Sequence, residues 1–246
     1  MKILLMADKK VGYEITKWLL DEYPEDVGFV VTKERDIWNA ATKAGVWCGN
    51  SSPLVNMDFD LGILAWWPYV IQEPLLSLPY CGWINTHPSL LPHNRGKHPN
   101  FWSIVEQAPY GVSIHMVDKG IDSGAVIAQK AIPYDWADTG ATLYEKAEEE
   151  MVELFKGTYP GLRMAIIFEK KKIAYGFMYA EQDPSKGSFH KASELEPASR
   201  IDLDCLYFGR ELLNKLRART FPGHPACYFE DGGVTYEVRV EIKRRD

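Results

Sequence analysis

Nowhere does the chain run to the roughly 18 consecutive apolar residues that a membrane-spanning helix requires. The opening Met1-Lys2-Ile3-Leu4-Leu5-Met6-Ala7-Asp8 meets base and acid too soon for the apolar stretch of a secretion signal, so a cytoplasmic protein is expected. Cysteine is scarce. The four residues Cys48, Cys81, Cys205 and Cys227 lie far apart with no CxxC pair, which argues against a zinc site or a disulfide framework, and each reads as a small buried apolar side chain. Positive charge is also short, with 28 Lys and Arg against 34 Asp and Glu and a net charge of -6. A partner gripped mainly by its phosphate backbone needs many basic contacts, so neither nucleic acid nor a membrane surface is expected and a small ligand fits better.

What remains is a chain of 246 residues with 46% hydrophobic, 25% charged and 13% aromatic content, enough for one large core plus a smaller appended unit and far from a disordered composition. Lys2 to Ala7 is a short apolar run followed by a helical pattern over Val11 to Tyr23 that stops at Pro24. Gly28 to Thr32 and Leu61 to Trp67 are further apolar runs of strand length, with a helical stretch near Asp36 to Ala44 between them. Such runs are continuous rather than alternating. Strands of that kind are covered on both faces, which predicts an α/β fold with a mostly parallel sheet.

Gly82 to Thr86 reads as another strand, followed by a loop bracketed by Pro88, Pro92 and Pro99 and a helix over about His98 to Glu106. Tyr110 to Asp118 and Ala125 to Ile132 form a strand pair around the turn Lys119-Gly120-Ile121-Asp122-Ser123-Gly124. A long helix is expected to begin near Asp138 or Thr139, with Thr142 and Glu145 also at capping-box spacing and with Pro160 breaking or restarting it. From about residue 170 the pattern changes to short strand-like pieces, such as Lys172 to Met178, Ala226 to Phe229 and Val234 to Ile242, with a Gly232-Gly233 turn. The expected division is residues 1–169 as one domain and 170–246 as a small α/β appendage.

Asn85 and His87 lie two apart at a strand end, so their side chains project from one face. Pro88 keeps His87 out of helical geometry, and Pro92 stiffens the following loop. Asp122, between Gly120 and Gly124, sits where the backbone can bend sharply. Taken singly, each residue has a local explanation as a turn or strand polar group. Brought together, a histidine base oriented by a carboxylate and an amide beside a developing oxyanion suit acyl transfer to nitrogen.

The stretch Trp83-Ile84-Asn85-Thr86-His87-Pro88-Ser89-Leu90-Leu91-Pro92, followed by Arg95-Gly96, resembles the signature of folate-dependent formyltransferases. So does Ser113-Ile114-His115 running into Asp118-Lys119-Gly120-Ile121-Asp122-Ser123-Gly124, with Gln129 beyond it. The resemblance spans residues 1 to 165 and implies a Rossmann-like N-terminal domain, N10-formyltetrahydrofolate as formyl donor, no metal, and catalytic roles for Asn85, His87 and Asp122. It also implies a folate pocket on the loops 66–71 and 133–138, with Trp67, Pro68, Tyr69, Val70, Ile71, Ile132, Asp135 and Asp138 as its contacts. One of Trp66 and Trp67 is expected to be plain core.

The acceptor has to be read elsewhere. Residues 187 to 246 hold ten Lys or Arg and ten Asp or Glu, unlike the basic tail that methionyl-tRNA formyltransferase carries for tRNA. Ala7-Asp8-Lys9-Lys10-Val11-Gly12 has one glycine, a poor phosphate nest for glycinamide ribonucleotide. The chain is expected to enter its catalytic domain at once, unlike formyltetrahydrofolate hydrolase, which usually adds an N-terminal regulatory domain. The tail, with Phe189-His190, Leu216-Arg217-Ala218-Arg219-Thr220-Phe221-Pro222 and Ala226-Cys227-Tyr228-Phe229, is similar to that of the sugar N-formyltransferases. That resemblance implies a nucleotide-linked deoxyamino sugar as acceptor, a step toward surface polysaccharide, and a homodimer formed through the tail around Tyr236, Val238 and Val240. Lys9, Arg95, Gly96, Phe189 and Arg219 are the expected substrate contacts, Lys9 and Arg95 for a diphosphate; Arg210, Lys215 and Arg217 are further basic candidates. A non-catalytic binding protein on the same fold is the alternative of another class.

Overall fold

The computed structural model describes residues 1–49, 54, 57–169 and 179–245. In chain order the elements are β1 (Ile3–Ala7), α1 (Lys9–Glu22), β2 (Val27–Val31), α2 (Arg35–Lys43), β3 (Trp47–Gly49), β4 (Leu61–Ala65), β5 (Trp83–His87), β6 (Arg95–Gly96), α3 (Pro99–Glu106), β7 (Gly111–Met116), β8 (Val126–Ala131), α4 (Gly140–Glu169), β9 (Phe189–His190), α5 (Leu195–Ser199), α6 (Gly209–Arg219), β10 (Cys227–Asp231) and β11 (Val234–Val238). They fall into two compact units, one of residues 1–87, 113–129 and 148–182, the other of 88–112, 130–147 and 183–246.

The first unit is built on a seven-stranded sheet of order β3-β2-β1-β4-β5-β7-β8, into which β7 and β8 feed residues 113–116 and 126–129. β1 to β5 are mutually parallel and β7 runs antiparallel to β5, so the fold is a mostly parallel, Rossmann-like α/β sheet. The apolar runs explain this directly: every residue of β1 and of β4 is buried, as strands covered on both faces must be. On one face Leu4, Met6, Phe29, Val31, Leu64 and Trp83 form a continuous core. Gly62 is required there, because a Cβ at that position would lie inside the Trp83 indole. Gly12 lets α1 approach the sheet backbone, its absent Cβ being 2.9 Å from the Ala65 carbonyl oxygen.

α4 begins at a reciprocal cap: the Thr139 amide donates to Thr142 Oγ1 at 2.9 Å and the Thr142 amide to Thr139 Oγ1 at 3.3 Å. It does not break at Pro160, contrary to the sequence expectation, but continues to Glu169. The residues flanking the proline explain why. Tyr159 donates its hydroxyl to Asp26 Oδ2 at 2.8 Å, and Arg163 donates Nε to the same oxygen at 2.5 Å. One buried carboxylate thus fastens both sides of the proline, while Phe155, Tyr159 and Leu162 bury their apolar surface, together offsetting the lost helical hydrogen bond.

In the second unit β6 pairs with β9 and β10 forms a hairpin with β11. Gly96, at φ +91, admits the backbone of His190 where a Cβ would collide with its carbonyl oxygen. The expected strand over Lys172 to Met178, and the expected boundary at residue 170, lie outside the described residues. No helix among the described residues is long and apolar enough to cross a membrane.

Candidate active site

The candidate site lies at the carboxyl end of β5, where ligands of open α/β sheets bind. Strand alternation sends Asn85 and His87 one way and Thr86 the other. Thr86 is structural: its hydroxyl donates to the Leu64 carbonyl at 3.1 Å and accepts the Trp66 amide at 2.9 Å, tying the exit of β4 to β5. Antiparallel pairing with β7 then sets His115 opposite Asn85 and Ser113 opposite His87. After β7 the chain turns sharply. Asp118 Oδ1 accepts from the Gly120 amide at 2.9 Å and the Ser123 hydroxyl at 2.7 Å, and Asp122 takes a left-handed backbone at φ +50. Gly124 completes the turn because a Cβ there would meet the Met116 carbonyl oxygen.

These supports gather all three sequence-predicted residues. His87 Nδ1 lies 3.5 Å from Asp122 Oδ2, and Asn85 Nδ2 donates to Asp122 Oδ1 at 3.3 Å. His115, which the sequence reading placed in a motif but gave no role, joins them: its Nε2 is 3.2 Å from Asn85 Nδ2 and 3.5 Å from Asp122 Oδ1. Its Nδ1 is 2.7 Å from the Met116 carbonyl oxygen, an acceptor only, so this nitrogen carries the proton. In that tautomer Nε2 presents a lone pair to the Asn85 amide. Both Asn85 amide hydrogens are then directed at protein acceptors, so stabilising an oxyanion through Asn85 means drawing one away from its long bond to Asp122. The signal for His115 was its parity with Ser113 on a strand whose partner carries Asn85.

A second missed residue is Gln182, whose Nε2 donates to the carbonyl oxygens of Asp122 at 2.9 Å and Gly124 at 2.7 Å. Gln129, by contrast, donates to the Ser113 hydroxyl at 2.9 Å. No group of three or more His, Cys, Asp or Glu side chains suited to a metal ion occurs among the described residues.

The expected folate residues divide between the units. In the first, Trp66 is the buried tryptophan of the pair, while Trp67 is half-buried and packs edge-to-face on Tyr69 at 5.3 Å. Tyr69 is exposed and bonded to Lys33 Nζ at 2.9 Å; Pro68 and Val70 are exposed or half-exposed, and Ile71 is buried. In the second unit Ile132 is buried, and Asp138 accepts from Lys146 Nζ, the Thr142 hydroxyl and the Asp135 amide, each at 2.9 Å. Burial alone would raise the Asp138 carboxyl, but those donors outweigh it and hold it below its ordinary value. Arg217, 4% exposed, donates Nη1 to the carbonyl oxygens of Asp135 at 2.6 Å and Asp138 at 2.8 Å, so it fastens this loop.

Of the expected substrate residues, Lys9 opens α1 in the first unit at φ +57. Arg95 and Gly96 pair with Phe189 and His190 in register, which brings three of the five together in the second unit. Their neighbour Trp102 stacks on His190 at 3.9 Å, and His190 is held between Glu106 and Glu194 at 2.7 and 3.0 Å. Arg219 stands apart, its Nε donating to Ser199 Oγ at 2.9 Å and Nη2 lying 3.7 Å from Glu196.

Sheet order, strand-end cluster and turn define a Rossmann-like protein carrying a histidine, carboxylate and amide site. Residues 30–157, more than half of the chain, match the family model described as formyl transferase, and residues 194–244 match the N-formyltransferase dimerization C-terminal domain. The chain belongs to the formyl transferase family. Among solved structures it is similar to a 4-N formyltransferase from Francisella tularensis, with a TM-score of 0.80 and 24% identity over 99% of this chain and 98% of that one. It is also similar to the formyltransferase PseJ from Anoxybacillus kamchatkensis, solved with UDP-4,6-dideoxy-4-formamido-L-AltNAc and tetrahydrofolate, with a TM-score of 0.57 and 30% identity over 88% of this chain and 98% of that one. Among curated proteins, methionyl-tRNA formyltransferase of Staphylococcus aureus is 34% identical over 110 residues. That match spans 44% of this chain and only 35% of the relative's length.

Proposed function

We propose that the protein is an enzyme that transfers a formyl group from N10-formyltetrahydrofolate to the amino group of a nucleotide-linked deoxyamino sugar. The observation that carries the proposal is the convergence of Asn85 and His87 on Asp122, at 3.3 and 3.5 Å, at the carboxyl end of β5. The match to PseJ over 88% of this chain, a formyltransferase solved with a UDP-linked 4-formamido sugar, supports the sugar acceptor over tRNA. So does the zero net charge of residues 187–246. We assign the dTDP-, UDP- and GDP-linked sugars as the substrate class, surface polysaccharide such as O-antigen as the destination, and the cytoplasm as the location. The tail after residue 169 is assigned to substrate contacts and homodimer formation, in keeping with the dimerization-domain match.

The residues present suit a folate. Within the first unit, the paired rings of Trp67 and Tyr69 offer aromatic surface to a flat ring. N10-formyltetrahydrofolate supplies the formyl group when bound. Transfer makes a bond from the acceptor nitrogen to the formyl carbon, breaks the bond from that carbon to folate N10, and moves one proton from the acceptor nitrogen to N10. His87 turns Nδ1 to Asp122, so its Nε2 carries that proton. Asp122 orients the ring and favours its cationic form while the proton is in transit. Asn85, aligned by His115, lends an amide hydrogen to the formyl oxygen as negative charge develops there. Lys9 and Arg95 are assigned to the diphosphate, with Gly96, Phe189 and Arg219 as further substrate contacts.

The test is formyl transfer to a panel of dTDP-, UDP- and GDP-linked amino sugars, with glycinamide ribonucleotide and charged initiator tRNA alongside. Turnover with a sugar, lowered about 100-fold or more by His87→Asn and by Asp122→Asn, is the expected result. Turnover with only a non-sugar acceptor would overturn the substrate assignment. Wild-type rates in both variants would overturn the catalytic one.

A further inference from the structure

Gln182 belongs to no motif, yet both of its amide hydrogens are committed to the turn that carries Asp122. They go to the carbonyl oxygens of residues 122 and 124, the residues on either side of Ser123. The other end of the turn is closed by Asp118 through Gly120 and Ser123, so Gln182 supplies the fastening on the far side.

Its own support is rigid. Two residues earlier, Ala180 exchanges backbone hydrogen bonds with Val126, its carbonyl accepting at 2.8 Å and its amide donating at 2.9 Å. The segment bearing Gln182 is therefore bridged to the strand that follows the turn. The turn needs such a hold, because an aspartate at φ +50 occupies a backbone region that a β-carbon disfavours. Relaxation of that backbone would swing the carboxylate. The contacts it makes, 3.3 Å to Asn85 and 3.5 Å to His87 and His115, already stand at the outer limit of useful range, so a small swing breaks them.

We infer that Gln182 is a positioning residue: by holding the carbonyls of Asp122 and Gly124 it keeps the Asp122 carboxylate aimed at His87 and Asn85. The inference rests on the reading of Asp122 as part of the transfer site.

Steady-state release of tetrahydrofolate from N10-formyltetrahydrofolate, with a UDP-linked 4-amino sugar as acceptor, tests it in Gln182→Leu, Gln182→Glu and Asp122→Asn. Losing both hydrogen bonds should lower the competent fraction, and with it kcat, about tenfold in Gln182→Leu, with each KM within about twofold of wild type. Gln182→Glu should be worse at neutral pH, because a carboxylate faces two carbonyl oxygens, and its deficit relative to wild type should shrink toward about pH 5, where a protonated carboxyl again donates. Wild-type kcat in Gln182→Leu, or a raised KM with kcat intact, overturns the inference. If the leucine variant does not fold, a pH-independent ratio of Gln182→Glu to wild type overturns it instead. Full activity in Asp122→Asn is the separate result that would sink the site reading itself.

Discussion

Replacing Arg217 with leucine is the sharpest structural perturbation available, because this side chain is buried and every hydrogen bond it makes has a nameable acceptor. Nη1 serves the carbonyls of Asp135 and Asp138, Nε serves Asn214 Oδ1 at 2.9 Å, and the guanidinium lies 4.9 Å from the Trp136 ring centroid. Leucine leaves three acceptors without their charged donor, each losing about 1 to 3 kcal/mol. Removing a buried charge returns its desolvation cost, which offsets part of that sum, as the lowering of the Arg217 pKa by burial reflects. The net loss is about 3 kcal/mol. For a chain of this size, about 2 to 4 °C per kcal/mol translates that into a melting temperature lower by roughly 6 to 12 °C. Arg217→Lys should fall by about half as much, since an ammonium cannot span the fork that meets both carbonyls. Thermal unfolding followed by circular dichroism measures both. A drop below about 2 °C in the leucine variant would refute the account of Arg217 as the fastening of the 135–138 loop.

Two further outcomes follow from features described above. The Asp138 carboxyl is depressed in the folded protein, so its contribution to stability is complete above the ordinary value of 3.8 and is lost as pH falls through the lower folded value. Asp138→Asn should flatten the acid limb of a urea-midpoint against pH curve below about pH 5, and an unchanged limb would refute this. Gly62→Ala places a methyl inside the Trp83 indole, so the variant should lose about 2 to 3 kcal/mol in urea unfolding, whereas a wild-type midpoint would contradict the packing.

The parts of the fold that the sequence disclosed are those with long apolar periodicity. β1, β2 and β4 were readable because burial on both faces leaves no polar alternation to confuse with a helix, and α4 because an apolar stripe recurs along it. Pro160 misled because the buried partner that fastens its flanks, Asp26, is 137 positions from Arg163 and invisible to local pattern. β6 and β9 are two residues each, too short for any period, though Phe189 and Arg95 had been singled out on other grounds. At the site, Asn85 and His87 were legible from their alternation and Asp122 from its glycine-flanked turn. Gln182 was not, since it lies 60 positions from Asp122 and an isolated glutamine carries no signal. Arg217 looked like a cation for a ligand because sequence cannot show that backbone carbonyls already claim it.

The chain passes from one compact unit to the other five times, at residues 87/88, 112/113, 129/130, 147/148 and 182/183. A single cut therefore releases neither unit. Grafting everything after residue 182 from a relative would separate the tail from the other two segments of its unit, residues 88–112 and 130–147. A recombination that respects these boundaries carries all three pieces together and leaves Asn85, His87, His115, Asp122 and Gln182 on the recipient side. Exchange between relatives in such a layout moves three segments at once or breaks a unit.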